Sequence, residues 1–173
     1  SDFQIEGMSV GDSLLDYFSE SDIKNELNKK NTFTTNKRFV IIWSPKLSKN
    51  SIYEELQLTL ETDDKDYIIQ TIDGKLLYDN DIEKCYQKQD EIVNEIKFLF
   101  PKVTPTFGKI RKHKGDKTGK TLVRNRTFFL NGGIVSVGCT DWSEDFRVKG
   151  WEDNLRVSAV TQYYLDTYSL KLN

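Results

Sequence analysis

The chain has 173 residues, a net charge of −2 and 30% charged residues, which fits one domain with an ordinary solvated surface. This balance excludes the uniformly basic surface of a typical nucleic-acid-binding protein, and the 37% hydrophobic content excludes global disorder. No apolar run reaches the ~18–20 residues that a membrane-spanning helix needs. We predict a single domain over 1–173 and no transmembrane segment, with an internal duplication near residue 80 as the alternative.

Two short helices are predicted at the N-terminus. An S-x-x-D sequence begins at Ser9 and again at Ser19, and this spacing is typical of a helix N-cap. The apolar phase breaks between Phe18 and Ile23. The break favours two helices over one continuous helix.

A β-rich region follows these helices. Residues 38–43 form a short apolar run, and 52–61 alternate apolar and polar side chains with a period of two, which predicts strands. An Asp-Gly pair at 73–74 separates two further β-rich runs, 66–72 and 75–78. Asp-Gly between such runs is a strong hairpin signal, so we predict a two-residue turn there.

The clearest element is an amphipathic helix over 81–100. Apolar residues recur at spacings of three and four along it, and only Gln89 interrupts the stripe. Its start is expected to be capped by Asp79, Asn80 or Asp81, and Pro101 ends it. Cys85 lies on the apolar stripe and is expected to face the core.

The C-terminal third of the chain is predicted to form antiparallel strands. A basic hairpin over 109–126 leads to an Asn-Gly turn at 131–132, a strand over 133–139, a long loop over 141–153 and an alternating run over 154–168. We therefore predict an α+β fold, with mainly antiparallel sheet packed by the 81–100 helix and the two short N-terminal helices.

Two cysteines, Cys85 and Cys139, permit one disulfide. Such a bridge would indicate an oxidising compartment, periplasmic or extracellular. The alternative is two buried free thiols in a cytoplasmic protein. No C-x-x-C motif is present, so redox catalysis and a cysteine-rich zinc site are not expected.

Enzymatic chemistry has little support in the sequence. The single histidine, His113, lies in a Lys/Gly-rich turn, whereas a serine triad needs a positioned imidazole and a catalytic zinc site usually needs several histidines. The tetrapeptide GDSL at 11–14 resembles the signature of the GDSL hydrolases, in which the equivalent of Ser13 is the nucleophile. The later G-x-N-D and D-x-x-H blocks are absent. We expect no catalytic residue, metal or cofactor, and a GDSL-type esterase using Ser13 stays the alternative.

Two segments are candidate binding surfaces. Aromatic side chains in a long loop often bind partners, although they also anchor loops to cores. A cluster of cations on a hairpin binds anions, although lysines also protect a solvated sheet edge. Nucleic-acid or anion binding by the 109–126 hairpin is therefore a further alternative, weakly supported by one interleaved aromatic. The candidate binding residues are Lys112, His113, Lys114, Trp142, Phe146 and Trp151.

The start GMSVGDSLLDYFSESDI, the helix IEKC…EIV…LFP and the C-T-D-W turn resemble an uncharacterised family of small marine-bacterial proteins with no known activity. Paired short helices before antiparallel strands also resemble the helix-plus-sheet unit of the envelope lipoprotein BamE and of β-lactamase-inhibitor proteins. These resemblances imply a bacterial, periplasmic protein. Our prediction is a non-catalytic binding or protein-interaction protein of the bacterial envelope, whose partner is an unknown protein or small ligand.

Overall fold

The computed structural model describes residues 3–30, 33–35, 37–43 and 51–169. It shows an α+β fold with an antiparallel sheet, as predicted. The helices are α1 (Glu20–Leu27), α2 (Ile82–Leu99), α3 (Glu144–Arg147) and α4 (Gln162–Ser169). The strands are β1 (Phe33–Thr35), β2 (Phe39–Trp43), β3 (Glu55–Glu61), β4 (Ile69–Leu77), β5 (Ile110–Lys112), β6 (Leu122–Leu130), β7 (Gly133–Asp141) and β8 (Asn154–Thr161).

The strands are hydrogen-bonded in the order β1-β2-β3-β4-β8-β7-β6-β5. The chain divides into two compact units. The first comprises Ser1–Gly74, Asn131–Ile134 and Ser158–Asn173, and the second comprises Lys75–Leu130 and Val135–Val157. None of the helices among the described residues is long and apolar enough to cross a membrane.

The first unit corrects one predicted N-terminal helix. Ser19 caps α1 through its side chain, as expected, but the helix predicted from Ser9 is replaced by a three-residue 3-10 turn, Leu14–Asp16. The cause lies in the preceding backbone: the Gly11 N–H donates to the Ile69 carbonyl, and the Ile69 N–H donates back to the Asp12 carbonyl. Because the backbone groups of Gly11 and Asp12 are paired with Ile69 in a strand-like arrangement, these residues do not form the first turn of a helix.

The hairpin predicted at Asp73-Gly74 is also wrong, because β4 runs through both residues. Asp73 is held in the strand by a 2.5 Å hydrogen bond from the Ser158 hydroxyl. A Cβ on Gly74 would lie 2.7 Å from the Tyr53 ring, so glycine is required here for close packing rather than for a turn.

The alternating C-terminal run stops earlier than predicted. β8 ends at Thr161, and α4 replaces the expected strand from Gln162 onward. The Thr161 hydroxyl accepts a hydrogen bond from the Tyr164 N–H at 3.1 Å, which is the geometry of a helix N-cap. The hydroxyl of Thr161 therefore ends the strand and begins the helix.

The second unit is built around α2. The Asp81 carboxylate accepts from the Lys84 N–H and caps the helix. Its buried face includes Cys85, which forms a disulfide with Cys139 of β7 and so decides between the two alternatives that the sequence left open. Cys85 is 0% exposed and Cys139 1% exposed. The bridge is thus enclosed in the core of this unit.

Gln89 breaks the apolar stripe for a structural reason. Its side chain is 0% exposed, and its amide nitrogen donates to the backbone carbonyls of Arg124 and Val137, both at 2.7 Å. Its amide oxygen accepts from the Arg124 guanidinium at 2.6 Å. One side chain of α2 thereby satisfies polar groups of both β6 and β7.

Replacing Gln89 with leucine is expected to lower the free energy of unfolding by about 2 kcal/mol, because buried carbonyls then lose their donor. The measurement is urea denaturation followed by circular dichroism. Gln87→Leu on the exposed side of the same helix is the matched control and should change stability by less than about 0.5 kcal/mol. Equal effects of the two substitutions would contradict this role of Gln89.

Candidate functional site

The tip of the β5–β6 hairpin is closed by Asp116. Its carboxylate accepts from the Thr118 N–H at 2.9 Å, the Thr118 hydroxyl at 2.7 Å and the Thr121 N–H at 2.9 Å. Asp116 is only 5% exposed. Within the described residues, the Lys/Gly-rich turn is therefore a defined loop whose shape depends on one carboxylate.

These hydrogen bonds, first those from Thr118 and then those from Thr121, lower the pKa of Asp116. A carboxyl whose pKa is lower in the folded state stabilises the fold above its unfolded pKa of about 3.9, and this stabilisation is lost as the pH falls below it. We expect the stability difference between the wild type and Asp116→Asn to be constant above about pH 5 and to shrink towards pH 3. Urea midpoints measured across this range provide the test, and a difference independent of pH would contradict it.

Four rings form a cluster that we call the aromatic corner: His113, Trp142, Phe146 and Trp151. The centroid of Trp142 lies 4.5 Å from that of Trp151, 5.1 Å from that of Phe146 and 5.1 Å from that of His113. His113 belongs to the hairpin and the other three rings to the 141–153 loop. The two segments selected separately from the sequence therefore meet in space.

The loop that carries the corner is held by an ion-pair cluster around the buried carboxylate of Asp153. The Arg147 guanidinium contacts the Asp153 carboxylate at 2.9 Å and the Asp141 carboxylate at 2.8 Å. Asp153 is 0% exposed and also accepts from the Trp142 N–H at 2.9 Å. Burial, followed by the negative charge of Asp153, raises the pKa of Asp141. This cluster fixes the backbone at both ends of the loop.

Direct contacts join the hairpin to the loop. The Ser143 N–H donates to the Thr121 hydroxyl at 3.1 Å, and the Lys120 ammonium lies 3.7 Å from the Asp145 carboxylate. Among the described residues, Trp142 Nε1, Ser143 Oγ and Arg147 Nε are buried with no hydrogen-bond partner. Native proteins leave few buried polar atoms unpaired. Three such atoms in one loop are therefore an unusual feature of this part of the protein.

The corner presents apolar and cationic groups to solvent. Trp151 is 49% exposed and the neighbouring Val148 is 74% exposed, while Trp142 is buried beneath them. The Lys149 ammonium lies 5.6 Å from the Phe146 centroid. Lys112 and Lys114 flank His113, are exposed, and make no ion pair with the described residues. The resulting surface is an aromatic patch bordered by lysines.

Sequence reasoning missed Arg147, Asp153 and Val148 as members of this site. Arg147 and Asp153 resemble solvated loop charges in the sequence, and only the burial of Asp153 and its ion pair with Arg147 reveal their role. Val148 is a single apolar residue between charged neighbours. Its exposure depends on the helical turn α3 and carries no sequence signal.

Ser13, the weak catalytic candidate, acts as a cap in this structure. Its hydroxyl donates to the Asp66 carbonyl at 2.5 Å and accepts from the Leu15 N–H at 3.2 Å. Both partners are backbone groups, so these contacts give a hydrolase no support. Across the described ranges, no group of three or more His, Cys, Asp or Glu side chains is placed to hold a metal ion.

Comparisons with known proteins found no matching protein-family model, curated protein sequence or solved structure. The resemblances stated from the sequence therefore stay predictions. Any function must be argued from the geometry of the chain itself.

Proposed function

We propose that this chain is a non-catalytic protein-interaction protein that binds its partner on the aromatic corner. The observation that carries the proposal is the convergence of the hairpin and the 141–153 loop, with the His113 ring 5.1 Å from Trp142. The Ser143–Thr121 hydrogen bond and the Lys120–Asp145 ion pair join the hairpin to the loop, and the ion pairs of Arg147 hold the loop itself. The two segments therefore present a preformed surface. A preformed surface loses little conformational entropy when it binds.

The composition of the surface supports a protein partner. Tryptophan is among the residues that most often dominate binding energy at protein interfaces, particularly when it is surrounded by residues that exclude water. Trp151 has this arrangement: half of its surface is exposed and its other face packs on Trp142 and Phe146. The adjacent exposed lysines would form the polar rim of such an interface.

The enclosed disulfide supports a location in an oxidising compartment, which for a bacterial protein means the envelope or the exterior. A free-thiol count by intact mass, without reductant, on protein taken from its native cell tests this placement. The absence of free thiols is the expected result. Two free thiols would contradict it and favour the cytoplasmic alternative.

The interaction itself is tested by affinity capture from an extract of the native cell with tagged wild-type and Trp151→Ala protein. We expect a protein captured by the wild type to be reduced at least about tenfold by Trp151→Ala, as for a central interface tryptophan. Phe98→Ala is the matched control, because Phe98 is an aromatic residue that is 86% exposed outside the corner. Equal capture by all three proteins would contradict the proposed surface.

A further inference from the structure

The sheet ends in an open edge beside the aromatic corner. β5 is the last strand in the order, and only β6 pairs with it in the part of the chain that the structure describes. Its register pairs Ile110 with Arg124 and Lys112 with Leu122, while the His113 N–H donates to the Thr121 carbonyl. Because inward-bonding residues alternate along an antiparallel pair, the backbone N–H and C=O groups of Ile110 and Lys112 face the open edge.

A bulge precedes this open edge. The Thr106 N–H donates to the Thr127 carbonyl, which is one residue out of step with the register of β5. The segment from Thr106 to Ile110 therefore contains one more residue than the part of β6 that lies opposite it, Arg124 to Thr127. Gly108 has a φ of +81°, which fits a glycine bulge. The neighbouring Phe107 is 92% exposed.

A groove of about 260 Å³ lies along the same edge. Its lining includes Phe107, Lys109 and Arg111 of the edge segment, together with Val123 and Asn125 of β6. The direct pairing of Arg111 with Val123 places these two side chains on one face. The groove thus combines an exposed ring, two cations and an amide beside an unpaired strand edge.

The charge of this edge is uncompensated. The cations Lys109, Arg111, Lys112, Lys114 and Lys117 make no ion pair with any described residue. The chain as a whole carries a net charge of −2, so positive charge is concentrated here and is not a general property of the surface. A complementary ligand is therefore acidic.

We infer that the β5 edge binds an extended acidic segment of the partner protein as an added β-strand. Backbone groups of the segment bond to Ile110 and Lys112, and its carboxylates contact Lys109 and Arg111. Its apolar side chains pack on Phe107. This inference rests on the proposed function, since it specifies the class of partner that would bind the hairpin to which His113 of the aromatic corner belongs.

Protection of a bare edge is the competing explanation, since lysines discourage pairing between sheet edges. It accounts for the lysines but not for the apolar side chains placed among them. Phe107 is 92% exposed and Ile110 47% exposed, and exposed apolar groups on an edge promote association. Binding of an acidic strand accounts for both the lysines and the exposed apolar side chains, because the cations would select the strand and the apolar groups would pack against it.

The test uses fluorescence anisotropy with a labelled peptide of alternating Glu and Val, about ten residues long and able to adopt a strand. We expect Lys109→Glu/Arg111→Glu to weaken binding by at least about tenfold, and added salt to weaken binding to the wild type. The matched control is Lys97→Glu/Lys102→Glu, which reverses two exposed cations elsewhere and should change affinity by less than about twofold. Circular dichroism establishes that each variant is folded.

Two further probes separate strand addition from simple charge attraction. The same peptide with alternate backbone nitrogens methylated keeps its charge but loses edge hydrogen bonds, and we expect it to bind at least about tenfold more weakly. Single-stranded oligothymidylate of equal charge should also bind more weakly than the peptide. Equal binding of the methylated peptide, tighter binding of the oligonucleotide, or no binding of the acidic peptide would each overturn the inference.

Failure of this inference is distinguishable from failure of the proposed function. Capture that depends on Trp151, without binding of the acidic peptide, would retain the aromatic corner and reject the β5 edge. Peptide binding that depends on Lys109 and Arg111, without capture that depends on Trp151, would retain the edge and reject the corner.

Discussion

Reduction of the Cys85–Cys139 disulfide is expected to lower the free energy of unfolding by about 4 kcal/mol, the value that chain entropy gives for a bridge across a sequence separation of 54 residues. The bridge ties α2 to β7, so without it the unfolded chain regains the freedom of the whole segment between them. Both sulfurs are buried, and a reductant should therefore act mainly after the protein unfolds.

Urea denaturation with and without reductant measures this loss. Cys85→Ala/Cys139→Ala provides the control, because it should resemble the reduced wild type and be indifferent to the reductant. A change of less than about 1 kcal/mol on reduction would show that the bridge contributes little to the stability of this fold.

Replacing Arg147 with methionine is expected to lower the free energy of unfolding by about 3 kcal/mol, because it leaves the fully buried Asp153 carboxylate without its cation. The loss should be smaller at acidic pH. The pKa of Asp141 is already raised by burial and by Asp153, and removing Arg147 raises it further. A carboxyl with a raised pKa binds its proton more tightly in the folded state, so its destabilising charge disappears as the pH falls.

Arg156→Met is the control for Arg147→Met, since Arg156 is exposed on β8 and should contribute less than about 0.5 kcal/mol. The double variant Arg147→Met/Asp153→Asn should recover part of the lost stability, because the uncompensated buried charge is gone. Urea midpoints at neutral and acidic pH measure each effect. A single variant as stable as the control would contradict the role assigned to this ion pair.

The sequence correctly predicted those helices and caps that are determined by residues close to one another in the chain. The stripe of α2 and the Ser19 cap are set by side chains within a few residues of each other, and both predictions are confirmed. The Asp73-Gly74 hairpin and the helix at Ser9 were wrong because distant partners decide them: Tyr53 lies over Gly74, and Ile69 occupies the backbone of Gly11. Tertiary contacts of this kind cannot be predicted from the residues next to each position in the sequence.

The candidate site was predictable as two segments but not as one surface. The composition of each segment identified the cations beside His113 and the aromatic residues of the 141–153 loop. Their convergence depends on contacts such as that between Ser143 and Thr121, which require the register of the strands. The open edge at Ile110 and Lys112 likewise follows from strand order and from the bulge at Gly108.

The most direct measurement is photo-cross-linking in intact cells, with benzoylphenylalanine incorporated at Val148 beside the aromatic corner or at Phe98 on α2. Both positions are largely exposed, 74% and 86% respectively, so either would react with any partner that covers it. We expect one discrete protein adduct from position 148, none from position 98, and loss of the adduct in Trp151→Ala. No adduct at 148, or the same adducts at both positions, would contradict the proposal that the aromatic corner is the partner-binding surface.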